Sequence, residues 1–151
     1  MKKLLLVIIS LFLLVGCSTK EEDEKIAYLE YKNELEEVKD FDSEVDFNTY
    51  FNIVRENEET VNYSLIINNP KINMNNVKAL LIHDYSTEDA YPSVGIFDEP
   101  ITLNASSEDS IILKGAITSN EDLGDVKFKL YLEYSDDNGE LNKIYYNVKR
   151  G

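Results

Sequence analysis

The segment Val126–Tyr134, VKFKLYLEY, alternates without a break. Val126, Phe128, Leu130, Leu132 and Tyr134 share one parity, and Lys127, Lys129, Tyr131 and Glu133 share the other. Successive side chains of an extended chain point to opposite sides, so this period of two predicts a half-buried strand. The first set is expected inside and the second in solvent. The same period runs through the chain after Asp40. It returns in Val45, Phe47, Phe51 and Ile53, then in Val61, Tyr63, Leu65 and Ile67, where Asn68-Asn69-Pro70 stops the strand. Asn76–Tyr85 places Val77, Ala79 and Leu81 on one face, and two short runs, Ser93–Phe97 and Ile101–Leu103, follow Pro92 and Pro100. Ser110–Ile117 keeps Ile111, Leu113 and Ile117 in phase, and Leu141–Val148 keeps Ile144, Tyr146 and Val148. Between the last two long strands, Asp137-Asn138-Gly139 predicts a tight type I′ hairpin, because Asn and Gly tolerate positive φ.

Seven or eight short strands divided by turns predict an all-β domain over residues 43–151, an antiparallel Ig-like β-sandwich rather than a parallel α/β sheet. The chain has one cysteine and no tryptophan, so the Cys…Trp…Cys framework of antibody domains is excluded. Strand count and span fit an immunoglobulin-like or fibronectin type III-like sandwich.

Residues 20–40 follow a different period. Tyr28, Tyr31, Leu35 and Val38 recur at helical spacing, Glu, Lys and Leu dominate, and Lys32 precedes Glu36 by four positions. This predicts a short acidic helix within a segment 17–42. Four roles stay open for it: a spacer, a partner-docking helix, a helix packed on its own domain, or a disordered linker.

Ahead of it, Met1-Lys2-Lys3 is a short positive stretch and Leu4–Val15 an apolar run broken only by Ser10. Such a run spans about 18 Å as a helix, short of the roughly 30 Å of a bilayer core. The pattern is that of a cleaved signal peptide. The run ends Leu14-Val15-Gly16-Cys17, with the only cysteine of the chain. These residues resemble the lipobox of bacterial lipoproteins. The resemblance implies a signal peptide over 1–16, a diacylglyceryl group on the Cys17 thiol, and a mature protein held on the extracytoplasmic face of the cell membrane. Two acyl chains anchor stably where one is marginal. A second resemblance covers Leu65–Asn69, Asn76–Tyr85 and Ile101–Gly115. Asn68, Asp84 and the Ser106–Ser110 region are similar to the strand-ending Asn, strand-ending Asp and polar turn of FxLYD-like modules of surface lipoproteins, which implies the same sandwich topology.

Charge bounds the partners. Twenty-nine acidic against fifteen basic residues give a net charge of −14, which repels phosphate backbones and excludes nucleic acid as a partner class. His83 is the only histidine, no nucleophile elbow surrounds any Ser or Cys, and no Gly-rich phosphate cradle follows a strand. No enzyme and no cofactor is expected. His83 reads as a polar residue at the start of a loop. Asp136–Glu140 is no EF-hand, because Tyr134 and Tyr145 stand where that loop needs an acid and a glutamate. The long segment between strands at 85–99 carries Tyr85, Glu88, Asp89, Tyr91, Asp98 and Glu99. Long loops on a rigid sandwich are common binding elements, and these residues form the candidate ligand or partner loop. The functional expectation is a lipid-anchored module for binding another envelope protein or for envelope assembly. The alternative is a small-molecule or Ca²⁺-binding accessory of a transporter or sensor.

Overall fold

A computed structural model describes residues 19–85 and 90–150. The expected signal peptide, Cys17, Glu88 and Asp89 lie outside the described residues. Helix α1 spans Lys20–Glu37. Eight strands follow: β1 Asn48–Arg55, β2 Thr60–Asn68, β3 Met74–His83, β4 Ser93–Val94, β5 Ile101–Leu103, β6 Ser110–Thr118, β7 Phe128–Ser135 and β8 Leu141–Asn147. They form two antiparallel sheets, three-stranded β1-β2-β6 and five-stranded β4-β3-β7-β8, with β5 also pairing β3. The predicted all-β sandwich is thus the fold, with 44% of the described residues in strands. Its connections pass from sheet to sheet between β2 and β3, β5 and β6, and β6 and β7, as in Greek-key Ig-like sandwiches.

The inward residues meet as the alternation requires. Val61, Leu65 and Ile67 of β2 and Ile111, Leu113 and Ile117 of β6 face Val77, Ala79, Leu81, Phe128, Leu130 and Leu132 across the sandwich. The first strand starts later than its alternation, at Asn48, although Phe47 is buried and Val45 packs against the core. In β3 a bulge sits at Asn76, whose φ of 52° is the left-handed region that Asn tolerates. Asn75 pairs Ser135 and Lys78 pairs Glu133, so one extra residue changes the parity and lets Met74 and Val77 both point inward.

The β7–β8 connection differs from the type I′ expectation. Only Gly139 has positive φ, at 80°. The Gly139 amide donates to the Asp136 carbonyl at 3.0 Å, and the Asp136 amide donates to the Glu140 carbonyl at 3.0 Å. This is a type I turn closed by a glycine bulge. The Asp136 carboxylate selects it by accepting from the amides of Asn138 and Glu140 at 2.8 and 2.9 Å.

The larger correction concerns the outer face of the five-stranded sheet. Tyr131 and Glu133, expected in solvent, are buried, because α1 lies over them. Tyr28 and Leu35 of the helix pack with Leu80, Ile82, Tyr91, Ile96 and Tyr131 in a second core, and Tyr31 and Val38 border it. Of the four roles open to this segment, the structure shows the helix packed on its own domain. Its Tyr/Leu face is therefore occupied.

Candidate functional site

The two sheets present different outer faces, and the difference decides where a partner has room. Over the five-stranded sheet α1 covers the central strands, and the covering is partly polar. The Tyr31 ring stacks on Tyr131 at 4.6 Å. Tyr131 donates its hydroxyl to Glu133 at 2.7 Å, and the Lys78 ammonium lies 3.4 Å from the same carboxylate. Tyr145 donates to Glu34 at 3.0 Å, beside Lys143 at 3.4 Å. Burial and the Glu133 hydrogen bond hold the Tyr131 phenol far above its ordinary range. Burial, then the bond to Glu34 and the surrounding carboxylates, push Tyr145 up to about 12. Burial pulls the Lys78 ammonium down, but the nearby Tyr31 phenol and Glu133 carboxylate more than offset it and leave it raised. This interface is a satisfied set of donors and acceptors.

The loop residues singled out by sequence are not brought together. Tyr91 is a core residue, 5% exposed. Its amide takes the Tyr28 hydroxyl as acceptor at 2.7 Å, and its own hydroxyl donates to the His83 carbonyl at 3.3 Å. Tyr85 is half-buried on the opposite side, donating to Ser119 at 2.7 Å. Asp98 closes a turn by accepting from the Gly95 amide at 2.6 Å. Glu99 is exposed and lies 3.6 Å from Lys20 at the start of α1. His83 is a buried residue at the end of β3, ringed by Tyr63, Tyr91 and Phe128, rather than a loop residue. Among the described residues no group of three or more His, Cys, Asp or Glu side chains converges as metal ligands.

Among the described residues nothing covers the face over β1, β2 and β6. Cross-strand registers set its rows: Tyr50 opposite Ile66 opposite Ile112, Asn52 opposite Ser64 opposite Lys114, and Val54 opposite Asn62 opposite Ala116. Tyr50 is 64% and Ile112 45% exposed. The small side chains of Ser64 and Ala116 and the backbone of Gly115 leave a shallow groove of about 500 Å³, lined also by Asn52, Asn62 and Lys114. These three strands contain no Asp or Glu, and neither do β3, β4, β5 and β8; what sets this face apart is that its acid-free outer side chains stay at least partly exposed. Alternation in the sequence does not carry this signal, because it separates inside from outside positions without marking which outside positions another element covers. Counting acids strand by strand would not have found it, because only β7 contains one; the face emerges only when the fold shows which sheet α1 covers.

Comparison with protein-family models, curated proteins and solved structures finds no match. Among the described residues no helix is long and apolar enough to cross a membrane.

Proposed function

We propose that this protein is a lipid-anchored extracytoplasmic lipoprotein whose sandwich is a protein-binding module of the bacterial cell envelope. Its anchor is Cys17, on the strength of the lipobox residues. The observation that carries the binding role is the acid-free outer face of β1-β2-β6. Cores of protein interfaces are depleted of charge and enriched in aromatic side chains. A face bearing Tyr50, Ile66 and Ile112, with the single cation Lys114, on a chain of net charge −14 is close to that composition. It also gives a partner an approach free of the repulsion found elsewhere on the surface. The dispersal of Tyr85, Tyr91, Asp98 and Glu99 favours this face over the 85–99 loop. Binding, rather than catalysis, is the activity assigned.

The test is a photo-crosslinking side chain placed at Ile112 in cells, with Glu58 in the β1–β2 turn as control. A discrete protein adduct is expected from position 112 and none from 58. Ser64→Glu, which puts a carboxylate in the middle of the face, is expected to abolish that adduct with the circular dichroism unchanged. An adduct that survives Ser64→Glu, or none from position 112, refutes the assignment.

A further inference from the structure

The geometry points to an edge-on seat on the bilayer, with the sheet edge carrying β4 and the β4–β5 turn towards the lipid and the β8 edge away from it. This rests on the lipidation of Cys17 proposed above and adds an orientation to it.

The first observation is covalent. Only Ser18 and Thr19 stand between Cys17 and the first residue of α1. An extended chain spans at most about 3.6 Å per residue, so the steps from Cys17 to Lys20 reach roughly 11 Å. The second is that α1 is no free stalk. Tyr28 and Leu35 are buried on the sheet, and the Lys129 ammonium lies 3.5 and 3.4 Å from the carbonyls of Leu35 and Glu36. The helix has no basic residue in its own last turn, so β7 supplies the cation that its C-terminus favours. At the other end Thr19 and Glu22 form a capping box, which fixes the helix start next to the anchor.

The third observation is direction. The helix crosses the strands instead of running along them. Lys20 meets Glu99, in the β4–β5 turn, at 3.6 Å. Tyr28 contacts Phe97 of the same turn, with ring centroids 5.3 Å apart. Tyr31 then stacks on Tyr131 of β7, and Glu34 accepts from Tyr145 of β8. Eighteen helical residues extend about 27 Å, more than the span of four strands at about 4.8 Å spacing. The anchored end therefore lies over the β4 edge and the far end over β8.

A folded domain does not enter hydrocarbon, so the surface at its attachment point is the one turned to the lipid. The tether imposes this seat, and charge opposes it. Glu21, Glu22 and Asp23 of the first turn, with Asp98 and Glu99, would be repelled by an anionic leaflet within a Debye length of about 8 Å. The acid-free face then stands sideways to the membrane. Its β1 strand, whose Phe51 packs on Phe128 of β7, lies towards the distal edge and open to a partner.

The experiment uses the full lipidated protein in phosphatidylcholine vesicles, whose zwitterionic headgroups remove the net repulsion. A dye is attached through Glu99→Cys or Leu141→Cys, both exposed positions, at 89% and 58%; Cys17 is blocked by its own lipid. Spin-labelled headgroup lipids are expected to quench the dye at 99 and leave the dye at 141 unchanged. Equal quenching at both positions, or stronger quenching at 141, overturns the orientation. A flexible Gly-Ser insertion of roughly 20 residues between Thr19 and Lys20 is expected to relieve the quenching at 99. Quenching that persists despite the insertion also overturns it, since another contact would then set the seat. Protein that fails to float with the vesicles refutes the anchor along with the orientation, which separates the two failures.

Discussion

Gly95 and Gly139 share nearly the same left-handed backbone, with φ of 73° and 80°, yet their surroundings differ completely. A Cβ on Gly139 would meet nothing within 4 Å, whereas one on Gly95 would lie 2.2 Å from the Val77 carbonyl oxygen. Gly139→Ala therefore carries only the left-handed penalty, about 1–2 kcal/mol. Gly95→Ala adds a collision with backbone that cannot swing aside and is expected to cost about 2–4 kcal/mol in total. Urea denaturation of the two variants checks this, and equal losses would contradict the close approach of β4 to β3. Neither requirement was legible in sequence as a contact. SVGIF reads as a short strand, and only the fold shows that its glycine lies against the bulged part of β3. Asp136 is similar, since its carboxylate chose a type I turn where Asn-Gly alone pointed to type I′.

At the scale of elements, strands were the most legible part of the chain and coverings the least. Alternation placed Val77, Ala79 and Leu81 in the core because burial on one face leaves a direct mark on composition. It placed Tyr131 and Glu133 in solvent because tyrosine, glutamate and lysine are what an exposed face also contains. A helix that docks through phenols and ammonium groups leaves no apolar mark on the strand beneath it. That chemistry has a consequence at alkaline pH. Tyr131 and Tyr145 donate to Glu133 and Glu34, and both phenols hold their protons more tightly than an unfolded tyrosine, which titrates near 10. Because the folded pKa is raised, their contribution to stability is complete below about pH 10 and is lost as pH climbs through 12 for Tyr145. Phenolate absorbance, followed with helical circular dichroism, is expected to show late-titrating tyrosines whose ionisation coincides with loss of α1. A helix signal that stays constant while every tyrosine ionises would contradict the docking described. Tyr145→Phe removes the bond to Glu34 and is expected to eliminate one late-titrating phenol.

At the scale of the whole molecule, the sandwich followed from the spacing of strands and turns, and the candidate site did not. Tyr85, Tyr91, Asp98 and Glu99 are neighbours in sequence, but the chain folds through a core position, a turn and an exposed end between them. Proximity along a loop is a poor guide when the loop contains β4 and a residue that helps bury α1. What defines the proposed binding face is a set of exposed, acid-free side chains on three strands distant in sequence, which becomes a surface only when β2 pairs with both β1 and β6. The proposed seat on the membrane is likewise a property of the assembled domain, since a helix start beside Cys17 means little until the helix is shown to lie across a sheet. Both the proposed binding role and the proposed seat depend on Cys17 being the lipid-bearing first residue of the mature protein. Intact mass and N-terminal peptide analysis of the protein purified from bacterial membranes tests this most directly. The expected result is a chain beginning at Cys17 with a thioether-linked diacylglyceryl group, and a Cys17→Ala variant that keeps Met1–Gly16 and carries no lipid. A mature chain with a free Cys17 thiol, or a Cys17→Ala variant that is still matured and still membrane-bound, would contradict the account.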